Sequence, residues 1–259
     1  MCINLNVSQY YSYIQAGKWW YSISGEIKAK IEEARIKEIH HIVKNNLQII
    51  SSLISLQREK LKDTECVKAL KEIQGRITSI ALVHEELYRS PDLVTLDFST
   101  YLERMIKYLL DFYRPEKNIN LKLNVEKIFI GIDTAIPLGI ILNELIHNSV
   151  DYAFPNKSEG EISVNLCEAE NYNQYLKKFW GFRADSKCQN EKHFQYVLII
   201  KDNGMGLPKE IDFKSTNSLG LQIVNLLVEQ IEGCIEIETN KGTKFSIWFS
   251  DLRAYPKSH

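Results

Sequence analysis

Between Glu38 and Gln57 the chain reads EIHHIVKNNLQIISSLISLQ, with apolar residues returning every three or four positions. At about 100° per residue that is the period of an α-helix. Ile39, Ile42, Val43, Leu47, Ile49, Ile50, Leu53 and Ile54 sweep out one broad arc. Lys37, His41, Lys44, Asn45, Gln48, Ser52 and Ser55 share the opposite side. His40 falls at the edge of the arc beside Leu47 and is expected to be packed or half-buried, whereas His41 projects into solvent. One antiparallel neighbour cannot cover so wide an arc, which predicts a four-helix bundle. The chain offers one further helix of matching type nearby, so a second copy is expected to complete the bundle as a homodimer.

The helical pattern begins near Glu26 and runs to about Lys60. The LKDTE turn follows, with Asp63 or Thr64 suited to cap the next helix. That helix sets Val67, Leu70, Ile73, Ile77, Ile80, His84 and Leu87 on one face and stops at Ser90-Pro91. Two helices joined by a short turn form an αα-hairpin. Residues 1–25 carry aromatics without a clean period, and a sensor remnant, a docking element and a frayed tail all stay open.

Pro91 to Asp97 reads as a domain boundary, separating a 26–92 hairpin from a 97–252 domain. Thr100 and Glu103 make a capping-box pattern opening a helix. Alternation at Ile119–Val125 and Ile128–Ile132 predicts strands. A helix is expected from about Thr134 to Ala153, tolerating Pro137 near its start. Strands follow at Glu161–Leu166 and Gln195–Lys201, with Cys167–His193 between them too long for a hairpin loop and read as an insertion. A helix from about Leu219 to Glu232 ends at Gly233, and two strands, Cys234–Glu238 and Thr243–Phe249, close the chain. The fold class is α+β: a helical hairpin in a dimeric bundle, then a two-layer α/β sandwich.

Net charge −1 gives no electrostatic case for a nucleic-acid partner. The five cysteines are odd in number and lack a C-x-x-C pair, so reduced thiols are expected rather than a disulfide framework. No apolar run approaches the ~18 residues of a membrane span, and no signal-peptide pattern opens the chain, which predicts a cytoplasmic protein.

Candidate chemistry gathers in the second half. Glu144, Asn148 and Asp151 are spaced i, i+4, i+7 on one helical face. A carboxylate and an amide carbonyl on one stripe suit Mg²⁺, though a plain polar face has the same spacing. In KDNGMGLP, Asp202 ends an apolar strand, and Gly204 and Gly206 permit a sharp turn. Ser218-Leu219-Gly220-Leu221 then opens a helix whose free N–H groups suit phosphate. Gly242-Thr243 starts the last strand.

The hairpin sequence, with ITSIALVHEELYRS at Ile77–Ser90, resembles the dimerisation and phosphoacceptor segment of sensor histidine kinases whose motif reads roughly H-R-V-K-N-N-L-Q. The series N-E-L-I-H-N, D-N-G-M-G, S-L-G-L and G-T resembles the boxes of the Bergerat ATP-binding fold, shared by histidine kinases, type II topoisomerases, MutL proteins and Hsp90. The resemblance implies His41 as phosphoacceptor, Asn148 as Mg²⁺ ligand, and Asp202 as acceptor for the adenine amino group. It further implies that Gly204 and Gly206 shape the base pocket and that Gly220 and Leu221 meet the phosphates of ATP. Leu207, Ser218 and Thr243 complete the expected nucleotide set, and Pro208–Ser218 would be a short lid. Glu144 would polarise the metal's water shell or assist proton transfer. Two positions depart from the family: Ile42 replaces the usual arginine, and Asp151 stands where many members carry lysine.

The implied reaction is attack of His41 Nε2 on the γ-phosphate, with Glu38 preferred over Glu85 as acceptor for the other ring N–H. Transfer to an aspartate on a separate response regulator receiver domain would follow. Asn45 would orient water in the reverse reaction. The competing expectations are a degenerate kinase serving as a nucleotide-binding dimeric module, and an ATPase that leaves the hairpin unused.

Overall fold

The computed structural model describes residues 7–113, 118–155, 159–172, 194–207, 218–239 and 241–252, with Cys188, Phe213 and Thr216 between them, and side chains from Ile27 onward. Helix α1 spans Val7–Lys60 without a break, so it starts about 20 residues before the sequence pattern does. Helix α2 spans Thr64–Arg89, and Asp63 caps it, its carboxylate accepting from the amides of Glu65 and Cys66. The pair forms the expected hairpin.

A single chain leaves much of the α1 arc bare. Val43, Leu47 and Ile54 are half-buried, but Ile39 and Leu53 are each 57% exposed and Ile42, Ile49, Ile50 and Leu56 are also exposed. Helix α2 by contrast is buried on two sides. The face carrying Gln74 and His84 turns to α1, whereas Gly75, Ser79 and Val83 meet the second half of the chain. A Cβ on Gly75 would lie 2.2 Å from Tyr113 Oη and 2.5 Å from Asn143 Oδ1, so a larger residue here would have to displace both side chains.

Strand β1 (Thr95–Asp97) pairs antiparallel with β3 (Phe129–Gly131). Helix α3 (Phe98–Tyr113) buries Tyr101, Leu102, Met105, Ile106 and Leu109. Its cap is Asp97, which accepts from the amides of Ser99 and Thr100, and not the capping box expected at Thr100. Asp97 comes straight off β1 with the extended backbone a cap needs, which places the helix start three residues earlier. The strand expected over Ile128–Ile132 is shorter because Ile132 already opens α4 (Ile132–Asn148). Beyond Asn148 the expected α-helix loosens into a π turn, Ser149–Ala153.

The main sheet has the order β2-β4-β5-β7-β6, from β2 (Asn118–Val125), β4 (Glu159–Glu168), β5 (Tyr196–Asp202), β7 (Lys244–Phe249) and β6 (Cys234–Glu238). β2 and β4 are parallel and the other neighbours antiparallel. Helices α3, α4 and α5 (Leu219–Gln230) cover one face, packing on Ile162, Val164, Leu198, Ile200 and Ile247. A smaller cluster on the other face joins Cys167, Tyr172, Cys188, Val197, Ile199 and Trp248. Alternate residues of β5 are therefore buried on opposite sides, which explains its unbroken apolar run.

Cys188 and Cys234 form a disulfide with Cα atoms 5.8 Å apart, correcting the expectation of thiols only. The insertion brings Cys188 against the β6 edge from 46 positions away, a closure no local spacing announces. Cys66 and Cys167 are free. The rest of the 167–193 insertion and most of the expected lid lie outside the described residues. Among the described residues no helix is long and apolar enough to cross a membrane.

Candidate functional site

The first cluster sits on the hairpin. His41 is exposed on α1, with Asn45 one turn on; the Asn45 amide nitrogen lies 3.4 Å from Nδ1 and 3.5 Å from Nε2 of the ring. The Tyr88 ring of α2 stands 5.9 Å from it, centroid to centroid. His40, 8% exposed, turns inward as expected, its Nδ1 lying 3.0 Å from His84 Nδ1 and its Nε2 3.4 Å from Leu93 O. Glu38 makes no hydrogen bond to His41 among the described residues. Glu85 is engaged by Lys44 at 3.0 Å and by Arg89 and Arg104 at 2.7 Å each. Burial alone would raise its carboxyl, but Arg104 and Lys44 hold it below the usual range.

The second cluster is built where α4, the π turn and the end of β5 meet. Asp202 is buried; its Oδ1 accepts from the amides of Gly204 (2.8 Å) and Thr243 (3.2 Å), and Oδ2 lies 3.4 Å from Ser149 Oγ. Burial pushes the Asp202 carboxyl up, against the pull of those donors. The π turn carries the chain to Gly204: Met205 N donates to Ala153 O, and a Cβ on Gly204 would lie 2.3 Å from that oxygen. Gly206 and Gly242 both have positive φ, and a Cβ on Gly242 would lie 2.1 Å from Asp202 O. These glycines bring two loops against the aspartate. Leu207 is half-buried against the main core.

Glu144, Asn148 and Gly220 come together at the other end. Gly220 lies at the start of α5, where a Cβ would stand 2.7 Å from Glu144 Oε2 and 3.9 Å from Asn148 Nδ2. The missing side chain leaves a cradle between the Glu144 carboxylate and the Asn148 amide, whose nitrogen faces Gly220 here and whose oxygen, like the carboxylate, is a donor of the type Mg²⁺ takes. Leu221 is buried and anchors α5, while Ser218 and Leu219 are exposed at its N-terminus. Asp151, one turn past His147, is not turned into this cradle: it pairs with His147 at 3.2 Å and with Lys68 of α2 at 3.1 Å.

Two participants carry no sequence signal. Ser149, the first residue of the π turn, reaches Asp202. Arg76 of α2 grips Glu144 with a two-pronged pair, Nε to Oε1 at 2.7 Å and Nη2 to Oε2 at 2.9 Å. It lies 68 positions from its partner, beyond any local pattern.

A helical hairpin with an exposed histidine is thus joined to a sandwich whose glycine loops frame the buried Asp202 and whose α5 N-terminus meets the buried Glu144. Residues 38–113 match the family described as histidine kinase, and residues 133–253 match the histidine kinase-, DNA gyrase B-, and HSP90-like ATPases. The chain belongs to the histidine kinases, with a C-terminal ATPase domain. It is 31% identical over 207 residues to the sensor histidine kinase PdtaS of Mycobacterium tuberculosis, a match covering 79% of this chain and 36% of that protein. A blue-light-activated histidine kinase of Erythrobacter litoralis is 20% identical, covering 82% of this chain and 55% of the relative. The fold is shared with the histidine kinase domain of the blue-light-activated kinase EL346 from Erythrobacter litoralis, with a TM-score of 0.57 over 86% of this chain and 95% of that domain, at 16% identity. The chain thus spans only about a third to a half of the length of these curated relatives.

Proposed function

We propose that the protein is an ATP-dependent histidine kinase that phosphorylates its own His41 and hands the phosphoryl group to an aspartate of a separate response regulator. The observation that carries this reading is His41 itself: an exposed imidazole on the polar face of the hairpin, in one chain with the cluster around Asp202. Neutral imidazole has an ordinary pKa near 6.5 and is a competent nucleophile at neutral pH. His41 Nε2 attacks the γ-phosphorus as the bond from that phosphorus to the β,γ-bridging oxygen breaks and ADP leaves, while an acceptor holds the proton on Nδ1, for which Glu38 one turn back is proposed. Asn45, beside both ring nitrogens, orients the ring and in the reverse reaction a water. Asp202 takes the adenine amino group, Gly204, Gly206, Leu207 and Thr243 enclose the base, and Ser218, Gly220 and Leu221 offer amides to the phosphates. Glu144 and Asn148 would hold Mg²⁺, which supplies charge neutralisation at the phosphates.

The bare arc from Ile39 to Leu56 supports a homodimer, since a monomer would leave it in water. A cytoplasmic location is part of the same proposal. The second reading, a nucleotide-binding module without transfer, is favoured by one contact: Arg76 already occupies Glu144. Incubation with γ-labelled ATP and Mg²⁺ separates them. A label stable to alkali and lost in acid marks phosphohistidine; no label on protein that binds Mg-ATP supports the module.

A further inference from the structure

Arg76 and Glu144 join the two halves of the molecule at a carboxylate proposed to hold Mg²⁺. Glu144 is 2% exposed, and both its oxygens are taken: Oε1 by Arg76 Nε and Asn143 Nδ2, Oε2 by Arg76 Nη2. Glu72 steadies the guanidinium from one turn away at 3.7 Å. The Lys68–Asp151 pair extends the same seam by two turns of α2. Between them the seam fixes the register of α4 against α2.

Within one chain that register holds the pocket short of His41. His40 and His84 face each other across the hairpin, so they mark the level of His41 on α2. Arg76 is eight residues from His84, about 12 Å along the axis at 1.5 Å per residue. Reacting atoms must approach to about 3–3.5 Å. Glu144 lies against Gly220, the phosphate end of the proposed pocket, and this end is docked on α2 well short of His41.

We infer that Arg76 is a positioning residue acting through Glu144, a latch that parks the nucleotide site on α2 away from His41 and competes with Mg²⁺ for the same carboxylate. The inference rests on the kinase reading for its consequence, and on the Arg76 fork for its geometry. A guanidinium paired to this carboxylate neutralises it and repels a divalent cation brought to the remaining lone pair of Oε2, so metal–nucleotide binding and latch release are coupled.

The test uses the full chain with spin labels on the exposed Cys66 of α2 and on Leu226→Cys of α5, in a Cys2→Ser background. The parent should give one narrow distance population. Arg76→Gln should broaden it, tighten Mg-ADP binding about tenfold or more, the scale of one charge-assisted pair, and leave Mg-free ADP unchanged. Arg76→Lys, which keeps the charge but not the fork, should fall between. Gly75→Ala supplies an independent opening: it favours the helix but sets a Cβ 2.2 Å from Tyr113 Oη at the seam. Both opened variants should label His41 several-fold faster than the parent. A narrow population in both variants overturns the latch, as does slower labelling in both. If no protein labels at all, the kinase reading fails, and equal Mg-ADP affinity in parent and Arg76→Gln then overturns the latch on its own.

Discussion

The Nδ1 atoms of His40 and His84 lie 3.0 Å apart between the two hairpin helices, and the contact needs one proton, not two. With His40 Nε2 placed to donate to Leu93 O, His40 Nδ1 is the acceptor and His84 Nδ1–H the donor. Burial, then the neighbouring His40, holds the His84 imidazole below its ordinary value. A histidine lowered in this way binds fewer protons folded than unfolded. Its neutral pairing is intact above the unfolded value near 6.5 and weakens as pH falls below it. Thermal melts of the parent should therefore lose stability from pH 7 to 5, and His84→Phe should flatten that slope. An unchanged slope in the variant would count against the pair.

The two adjacent histidines should separate cleanly. His41→Gln should abolish labelling with little effect on melting, because the ring is exposed. His40→Gln should retain label but cost about 1–3 kcal/mol, the range for leaving a buried polar partner unmatched. Melting curves and acid-labile label together check this, and the opposite pattern would reverse the assignment of the acceptor.

Asp202→Asn should weaken nucleotide binding by an order of magnitude or more. The substitution replaces an acceptor by a donor facing the amides of Gly204 and Thr243, so it disturbs both the pocket and the proposed adenine contact. Calorimetry with Mg-ADP is the measurement, and affinity equal to the parent's would remove Asp202 from the site.

Asp151 serves the fold in this structure. Burial would raise its carboxyl, but the hydrogen bond from His147 and the Lys68 ammonium carry it down to about 2. A carboxyl lowered from its ordinary value adds stability that is complete above about 4 and fades as pH falls through about 2. Asp151→Asn should cost roughly 1–2 kcal/mol at pH 7, discounted for partial exposure, and nearly nothing at pH 2. Denaturant titrations at the two pH values test it.

Ile49→Glu with Leu53→Glu should turn a dimer into a monomer, since both side chains point away from α2 and are more than half exposed in a single chain. Sedimentation of the full chain at micromolar concentration is the check, and an already monomeric parent would defeat the bundle.

What was legible in the sequence followed from short-range physics. The period of α1, the Asp63 cap and the alternation of β2 are written in neighbouring residues, so hairpin and sheet could be read in order. Asp202, Gly204 and Gly206 stood out because glycine spacing reports backbone geometry directly. What escaped was set by distant partners. The second buried face of α2, carrying Gly75 and Ser79, looks polar and small until Tyr113 and Asn143 arrive. Arg76 reads as an ordinary solvated charge, the cap of α3 is decided by a strand ending at Asp97, and the Cys188–Cys234 bond depends on where an insertion lands.

Helix α2 is a shared wall, one side glued to α1 and the other to α3 and α4. Successive residues on a helix point about 100° apart, so a turn of α2 by even a fraction of that step swings Gly75 and Ser79 out of their seats. Helix α1, 54 residues and about 80 Å long, grips α2 along the hairpin and works as a drive shaft meshed with it. A rotation of α1 about its own axis would pass through its packing on α2 into the seam that holds Glu144, so the angle of one helix and the seat of the other are geometrically tied.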